Sequence, residues 1–78
     1  MTDVAIIDNG GANIASLRYA LERLGASSHL TADPAELRAA QRVILPGVGA
    51  AADAMARLRA LQLVDLIPQL TQPVLGIC

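Results

Sequence analysis

The fold is decided by residues 4–13, which read Val-Ala-Ile-Ile-Asp-Asn-Gly-Gly-Ala-Asn. Four consecutive apolar residues are typical of a strand that is covered on both faces, as the strands of a parallel sheet are. The polar, glycine-rich stretch that follows predicts a loop, and Asn13 is a favourable N-cap for a helix after it. These residues therefore predict a strand that passes through a loop into a helix, which is the repeating unit of an α/β fold.

The same unit is predicted again along the first half of the chain. Apolar residues at helical spacing after Asn13 predict one apolar stripe, and Gly25 is placed to end that helix. The stripe consists of Ile14, Leu17, Leu21 and Leu24. Residues 27–31 predict a weaker strand, and the pair Asp33-Pro34 predicts the start of a short helix that runs to about residue 40.

The second half of the chain predicts two more strands. Residues 42–45 form a continuous apolar-rich strand, which we expect Pro46 and the glycines after it to end. Residues 50–61 predict a helix with Met55 and Leu58 facing inward. The apolar stretch 63–70 predicts further helix, interrupted by Pro68, and residues 74–77 predict the last strand.

This order of strands and helices predicts one architecture. Strands joined through helices form a parallel sheet with right-handed crossovers. We therefore expect a doubly wound, mainly parallel α/β sheet of the flavodoxin-like type. The 78 residues are predicted to be the N-terminal portion of a single domain, because the last strand lacks the helix that should cover it.

Size and composition exclude several classes of function. Seventy-eight residues bury only roughly 60% of the unfolded surface, so stability should be marginal. A net charge of −1 and one aromatic residue argue against nucleic-acid binding. Apolar runs are too short for a membrane span, and the N-terminus lacks the basic region of a secretory signal, so a cytoplasmic location is expected. One cysteine and one histidine cannot form a disulfide or a zinc site within the chain, and we expect no cofactor.

Three loops are predicted at the carboxyl ends of strands, where ligands bind in open α/β sheets. They comprise residues 8–13, residues 46–49 and Cys78. Cys78 follows a strand and a glycine, as the nucleophile does in a nucleophile elbow, and such a thiol is activated by a helix N-terminus. A small buried thiol is the alternative, because Gly-Ile-Cys is only the front half of that motif.

The other two loops offer binding groups. Gly47, Val48 and Gly49 can expose backbone N–H groups that stabilise an oxyanion, although a plain strand-to-helix turn has the same composition. A thiol at the neighbouring strand end favours the oxyanion interpretation. Residues 8–13 match no phosphate-binding motif, so nucleotide binding is weakly supported. A tight turn closed by the Asn13 cap and a binding or interface role are the two interpretations. His29 is predicted to be a solvated strand residue and not the base for Cys78.

Three stretches together resemble a known family. Asp-Asn-Gly-Gly-Ala-Asn at residues 8–13, Leu-Pro-Gly-Val-Gly at 45–49 and Gln-Pro-Val-Leu-Gly-Ile-Cys at 72–78 resemble class I glutamine amidotransferases. Within that class they are most similar to the family of glutaminase subunits of imidazole glycerol phosphate synthase. The Pro-Gly-Val-Gly form is the most specific piece. The resemblance extends over the whole chain but covers about two-fifths of a domain of ordinary size.

The resemblance implies an enzyme of histidine biosynthesis. Cys78 would attack the side-chain amide of glutamine, form a glutamyl thioester and release ammonia, and water would then release glutamate. Backbone N–H groups of Gly47, Val48 and Gly49 would form the oxyanion strand. The ammonia would pass to a (β/α)₈-barrel cyclase, the partner in a heterodimer, and Asn13 would lie near that interface.

Two departures from the family pattern bear on this expectation. Asn9 and Ala12 stand where the family often has an aromatic residue and a second glycine. The family's catalytic histidine and glutamate lie far downstream of the nucleophile, so the piece alone should be inactive. The alternatives are another class I amidotransferase with a different synthase partner, or a flavodoxin-like binding module with an inert cysteine.

Overall fold

Four short strands, all parallel, form one sheet in the order β2-β1-β3-β4. The computed structural model describes residues 3–8, 14–46 and 51–77, and for residues 51–54 it describes the backbone alone. The strands are β1 (Asp3–Ile7), β2 (Ser27–Thr31), β3 (Arg42–Pro46) and β4 (Val74–Ile77). The helices are α1 (Ile14–Arg23), α2 (Pro34–Ala39), α3 (Ala51–Ala60) and a 3₁₀ turn (Ile67–Gln69).

The strand order confirms the predicted fold class. The chain starts in β1, moves out to β2, and then crosses back over β1 to reach β3 and β4. This reversal of direction is the mark of a doubly wound, flavodoxin-like sheet, and it creates a switch point beside β1. Both the weak strand predicted at residues 27–31 and the short helix after Asp33 are present.

The core lies on one face of the sheet, beneath α2, α3 and the segment that leads to β4. Alternate residues of a strand face opposite sides, so Ala5 and Ile7 share this face. The buried members of the core are Ala5, Ile7, Leu37, Ala40, Val43, Leu58, Leu63 and Leu66. The opposite face carries a second set of buried residues, namely Val4, Ile6 and Ile44. Burial on both faces explains why β1 is apolar without alternation.

Two predicted core residues are instead exposed. Leu24 is 81% exposed because α1 ends at Arg23, so Leu24 lies in the turn beyond the apolar stripe. Met55 is 38% exposed, so the prediction that it faces inward is wrong, whereas the prediction for Leu58 is confirmed. No residue of α1 is fully buried, which makes this helix the least enclosed of the long elements.

Two helices end in the same hydrogen-bonded motif. After α1, Ala26 N–H donates to the Leu21 carbonyl at 3.0 Å and Gly25 has a φ of +80°. After α3, Leu63 N–H donates to the Leu58 carbonyl at 2.9 Å, and Gln62 has a φ of 60°. Both are Schellman caps, in which the left-handed residue reverses the chain. Leu63 and Leu58 supply the apolar contact that usually accompanies this cap.

Two sequence-based boundaries need correction. Residues 63–70 do not form a continuous helix. The segment consists of hydrogen-bonded turns followed by the 3₁₀ turn, and Pro68 lies inside that 3₁₀ turn. Proline lacks the N–H that a longer α-helix would need there. β3 does not stop before Pro46, as predicted, but includes Pro46 as its last residue, and Pro46 is buried. The ladder between β1 and β3 ends at Ile44, so the missing N–H of Pro46 interrupts no bond to β1.

Candidate active site

Three strands bring their carboxyl ends, after which the site loops are predicted, to one edge of the sheet. β1, β3 and β4 are adjacent and parallel, so their carboxyl ends lie on the same side. Pro46 at the end of β3 is in register with Ile77 at the end of β4. Gly47 and Cys78 are the next residues in sequence after this pair. The topology therefore confirms the shared edge on which the site prediction depends.

The candidate site residues themselves lie outside the described part of the chain. This applies to the proposed nucleophile Cys78, to the proposed oxyanion residues Gly47, Val48 and Gly49, and to Asn13. Their roles stay predictions. What the structure describes is the framework that carries them, namely the strand ends at Pro46 and Ile77.

A side-chain amide anchors the chain just before β4. Gln72 is half-buried, and its Nε2 donates to the carbonyl of Leu37 at 2.6 Å and to that of Ala40 at 3.1 Å. These carbonyls belong to the last turn of α2, where carbonyl groups lack partners within the helix. The next residue, Pro73, accepts a hydrogen bond from Val43 N–H at 3.0 Å. Sequence reasoning missed Gln72 because its partners lie 32 and 35 residues away.

A polar network closes the carboxyl end of β2. Thr31 is buried, and its hydroxyl donates to the Glu36 carboxylate and accepts from Asp33 N–H at 3.1 Å. Asp33 Oδ1 accepts from Ala35 N–H at 3.0 Å and caps α2, which confirms the helix start predicted at Asp33-Pro34. Asp8 N–H donates to the Thr31 carbonyl at 2.9 Å. The start of the first loop is thereby tied to β2.

His29 lies away from the edge that carries the site. It is in the middle of β2, in register with Ala5. Its Nδ1 is 3.3 Å from Asp3 Oδ1 at the amino end of β1, and its side chain is 40% exposed. The prediction of a solvated strand residue is confirmed.

The described ranges carry neither a cluster of metal-ligating side chains nor a helix that could span a membrane. Residues 3–8, 14–46 and 51–77 contain no group of three or more histidine, cysteine, aspartate or glutamate side chains that could hold a metal ion. None of the helices in these ranges is long and apolar enough to cross a membrane.

Curated relatives of this chain share one name. The imidazole glycerol phosphate synthase subunit HisH of Xanthomonas axonopodis pv. citri is 63% identical over 78 residues, which is 100% of this chain and 39% of the relative. Over its whole length the chain is similar to the N-terminal part of HisH. HisH of Xylella fastidiosa is 54% identical over 78 residues, which is again 100% of this chain and 39% of the relative. HisH of Shewanella oneidensis is 59% identical over 76 residues, or 97% of this chain and 34% of the relative.

The match to HisH is N-terminal, and the chain spans about two-fifths of the length of these relatives. The resemblance inferred from the three sequence stretches is confirmed by these matches. No family model matches the chain. The four-stranded parallel sheet agrees with the N-terminal part of a class I glutamine amidotransferase domain.

Proposed function

We propose that the chain is the N-terminal portion of a glutaminase subunit of imidazole glycerol phosphate synthase. Identity of 54–63% over the whole chain to subunits named HisH is the observation that carries this proposal. The subunit would hydrolyse glutamine to glutamate and ammonia and deliver the ammonia to a synthase partner. The parallel edge formed by β1, β3 and β4 supports a ligand site of that kind.

Cys78 is the nucleophile in this proposal. Its thiolate adds to the side-chain carbonyl carbon of glutamine, and the carbon–nitrogen bond then breaks. The leaving nitrogen takes a proton and departs as ammonia, which leaves a glutamyl thioester on Cys78. Water attacks the thioester, glutamate departs, and the thiol is regenerated. The reaction consumes one glutamine and one water and requires no cofactor.

Gly47, Val48 and Gly49 are proposed to stabilise the oxyanion of this reaction. Negative charge develops on the glutamine carbonyl oxygen as the thiolate adds, and backbone N–H donors held in place lower the free energy of that state. The register of Pro46 with Ile77 supports the assignment. Neighbouring strands lie about 4.8 Å apart, so the loop after β3 starts beside the strand that carries the thiol.

The partner in this proposal is a (β/α)₈-barrel cyclase that forms a heterodimer with the subunit, with Asn13 near the interface. Ammonia would reach the cyclase through a tunnel and enter imidazole glycerol phosphate during histidine biosynthesis. A cytoplasmic location fits this role. The 78 residues alone should lack glutaminase activity, because they contain no proposed base and span about two-fifths of the length of the HisH relatives.

A chimera tests the proposal directly. In it, this chain replaces the matching N-terminal part of HisH from X. axonopodis, so that the remainder of the domain is supplied. We expect glutamine-dependent ammonia release that rises when a barrel cyclase and its nucleotide ligand are added. Cys78→Ala should abolish release while leaving the folded state intact by circular dichroism.

Two results would contradict the proposal. Retained ammonia release by the alanine variant would exclude Cys78 as the nucleophile. A folded chimera without glutaminase activity, with or without the cyclase, would favour the alternative of a binding module with an inert cysteine. Stimulation by a different synthase would identify another class I amidotransferase.

A further inference from the structure

The strand that precedes Cys78 is held by its pairing with β3 and by contacts just before it begins. β4 pairs in parallel with β3, from Val43 with Val74 to Pro46 with Ile77. A slip of one residue in such a pairing turns every side chain to the other face. The contacts at the start of β4 therefore bear on where the strand ends.

Gln72 anchors the start of β4 to the end of α2. Its amide donates to two carbonyls at the end of α2, at 2.6 Å from Leu37 and 3.1 Å from Ala40. α2 is a fixed reference because Leu37 is fully buried in the core. Sliding the chain by one residue moves a strand about 3.3 Å. Such a slip would break both bonds and the bond from Val43 N–H to Pro73.

We propose that Gln72 is a positioning residue that sets the register of β4 against β3 and thereby the position of Cys78. This inference rests on the proposed glutaminase function. Gln72 does not touch the substrate in this account. It acts through β4, whose observed register pairs Val43 with Val74 and Pro46 with Ile77. The nucleophile is the residue directly after that last pair, so an error in register reaches it undiminished.

The test compares three variants of the chimera at a temperature where each is folded. Gln72→Glu keeps the length and shape of the side chain but replaces the donor amide by acceptor oxygens that face two carbonyls. Gln72→Lys restores donors, and its positive charge suits a helix C-terminus. Gln69→Ala removes an exposed glutamine three residues earlier and is the matched control.

A displacement of about 1 Å in a reacting group costs roughly 100-fold in rate. We therefore expect Gln72→Glu to lower kcat at least ~10-fold, with KM changed by less than about threefold, because chemistry and not glutamine binding is disturbed. Gln72→Lys should recover kcat to within about threefold of the parent, and Gln69→Ala should match the parent. Amide exchange at Val43, whose N–H bonds Pro73, should accelerate in Gln72→Glu alone.

The outcomes separate this inference from the proposed function. A folded parent chimera without glutaminase activity overturns the proposed function and this inference with it. An active parent with an unchanged Gln72→Glu variant overturns the inference and leaves the function standing. A variant that loses thermal stability but keeps kcat also overturns it, since that result assigns Gln72 a purely stabilising role.

Discussion

Replacing Thr31 with valine should lower the free energy of unfolding by about 1.7 kcal/mol. The two side chains have nearly the same shape, so the change removes a hydroxyl without opening a cavity. That hydroxyl accepts from Asp33 N–H and donates to the Glu36 carboxylate. Because Thr31 is buried at the end of β2, the change tests whether this network holds β2 and α2 together.

The magnitude follows from the two lost bonds. A neutral hydrogen bond contributes about 1 kcal/mol, and a bond to a charged group contributes about 1.5 kcal/mol at the lower end of its range. The lower end applies because Glu36 is exposed and its carboxylate regains water. The methyl group that replaces the hydroxyl becomes buried, which returns about 0.8 kcal/mol.

Urea denaturation followed by far-ultraviolet circular dichroism measures this loss. With a slope of about 1 kcal/mol/M for a small chain, the midpoint should fall by about 1.7 M. Thr31→Ser is the control, because it keeps the hydroxyl and should lose only about 0.8 kcal/mol for its missing methyl. In a double-mutant cycle with Glu36→Ala, the two changes should couple by about 1.5 kcal/mol, the contribution of the bond that joins them.

A Thr31→Val variant as stable as the parent would refute this reasoning. Strict additivity with Glu36→Ala would refute it in part, because it would show that the hydroxyl and the carboxylate do not interact. Alanine is the best helix former, so Glu36→Ala carries no penalty of helix propensity that would obscure the cycle.

Four further changes, one of them a control at an exposed site, test the core and the helix ends. Leu37→Ala should cost about 2–5 kcal/mol in unfolding free energy, because Leu37 is fully buried, whereas Leu24→Ala at an exposed site should stay within about 0.5 kcal/mol; equal effects in urea titrations would contradict the assigned core. Gly25→Ala should cost about 1 kcal/mol, since a side chain is strained at a φ of +80°. Gln62→Gly should raise the melting temperature by relieving the same strain at a φ of 60°, a gain of about 0.5 kcal/mol; a lower melting temperature would show that Gln62 contributes contacts of its own.

Local chemistry made most of the fold predictable. Asp33 followed by Pro34 marked the start of α2, and Gly25 marked the end of α1, because N-caps and left-handed C-caps have strong residue preferences. The apolar runs at residues 4–7 and 42–45 located the two central strands. The parallel edge followed from the alternation of strands and helices, and with it the placing of the carboxyl ends of β1, β3 and β4 side by side.

Contacts between distant residues were not predictable from the sequence. Gln72 reaches α2 across 32 and 35 residues, and no periodicity signals such a bond. Thr31 reads as an ordinary strand residue, yet it organises the junction between β2 and α2. Met55 has the right helical spacing for the core, but spacing alone does not show how far the apolar side of α3 is covered.

Covalent labelling distinguishes Cys78 as the proposed nucleophile from an inert thiol. The chimera is treated with a glutamine-like electrophile, digested and analysed by mass spectrometry. We predict one adduct per subunit, on Cys78. Added glutamine should reduce its formation in proportion to the glutamine concentration, and the Cys78→Ala variant should form no adduct. A chimera that releases ammonia from glutamine while Cys78 stays unlabelled, or while the label falls on another residue, would contradict the account.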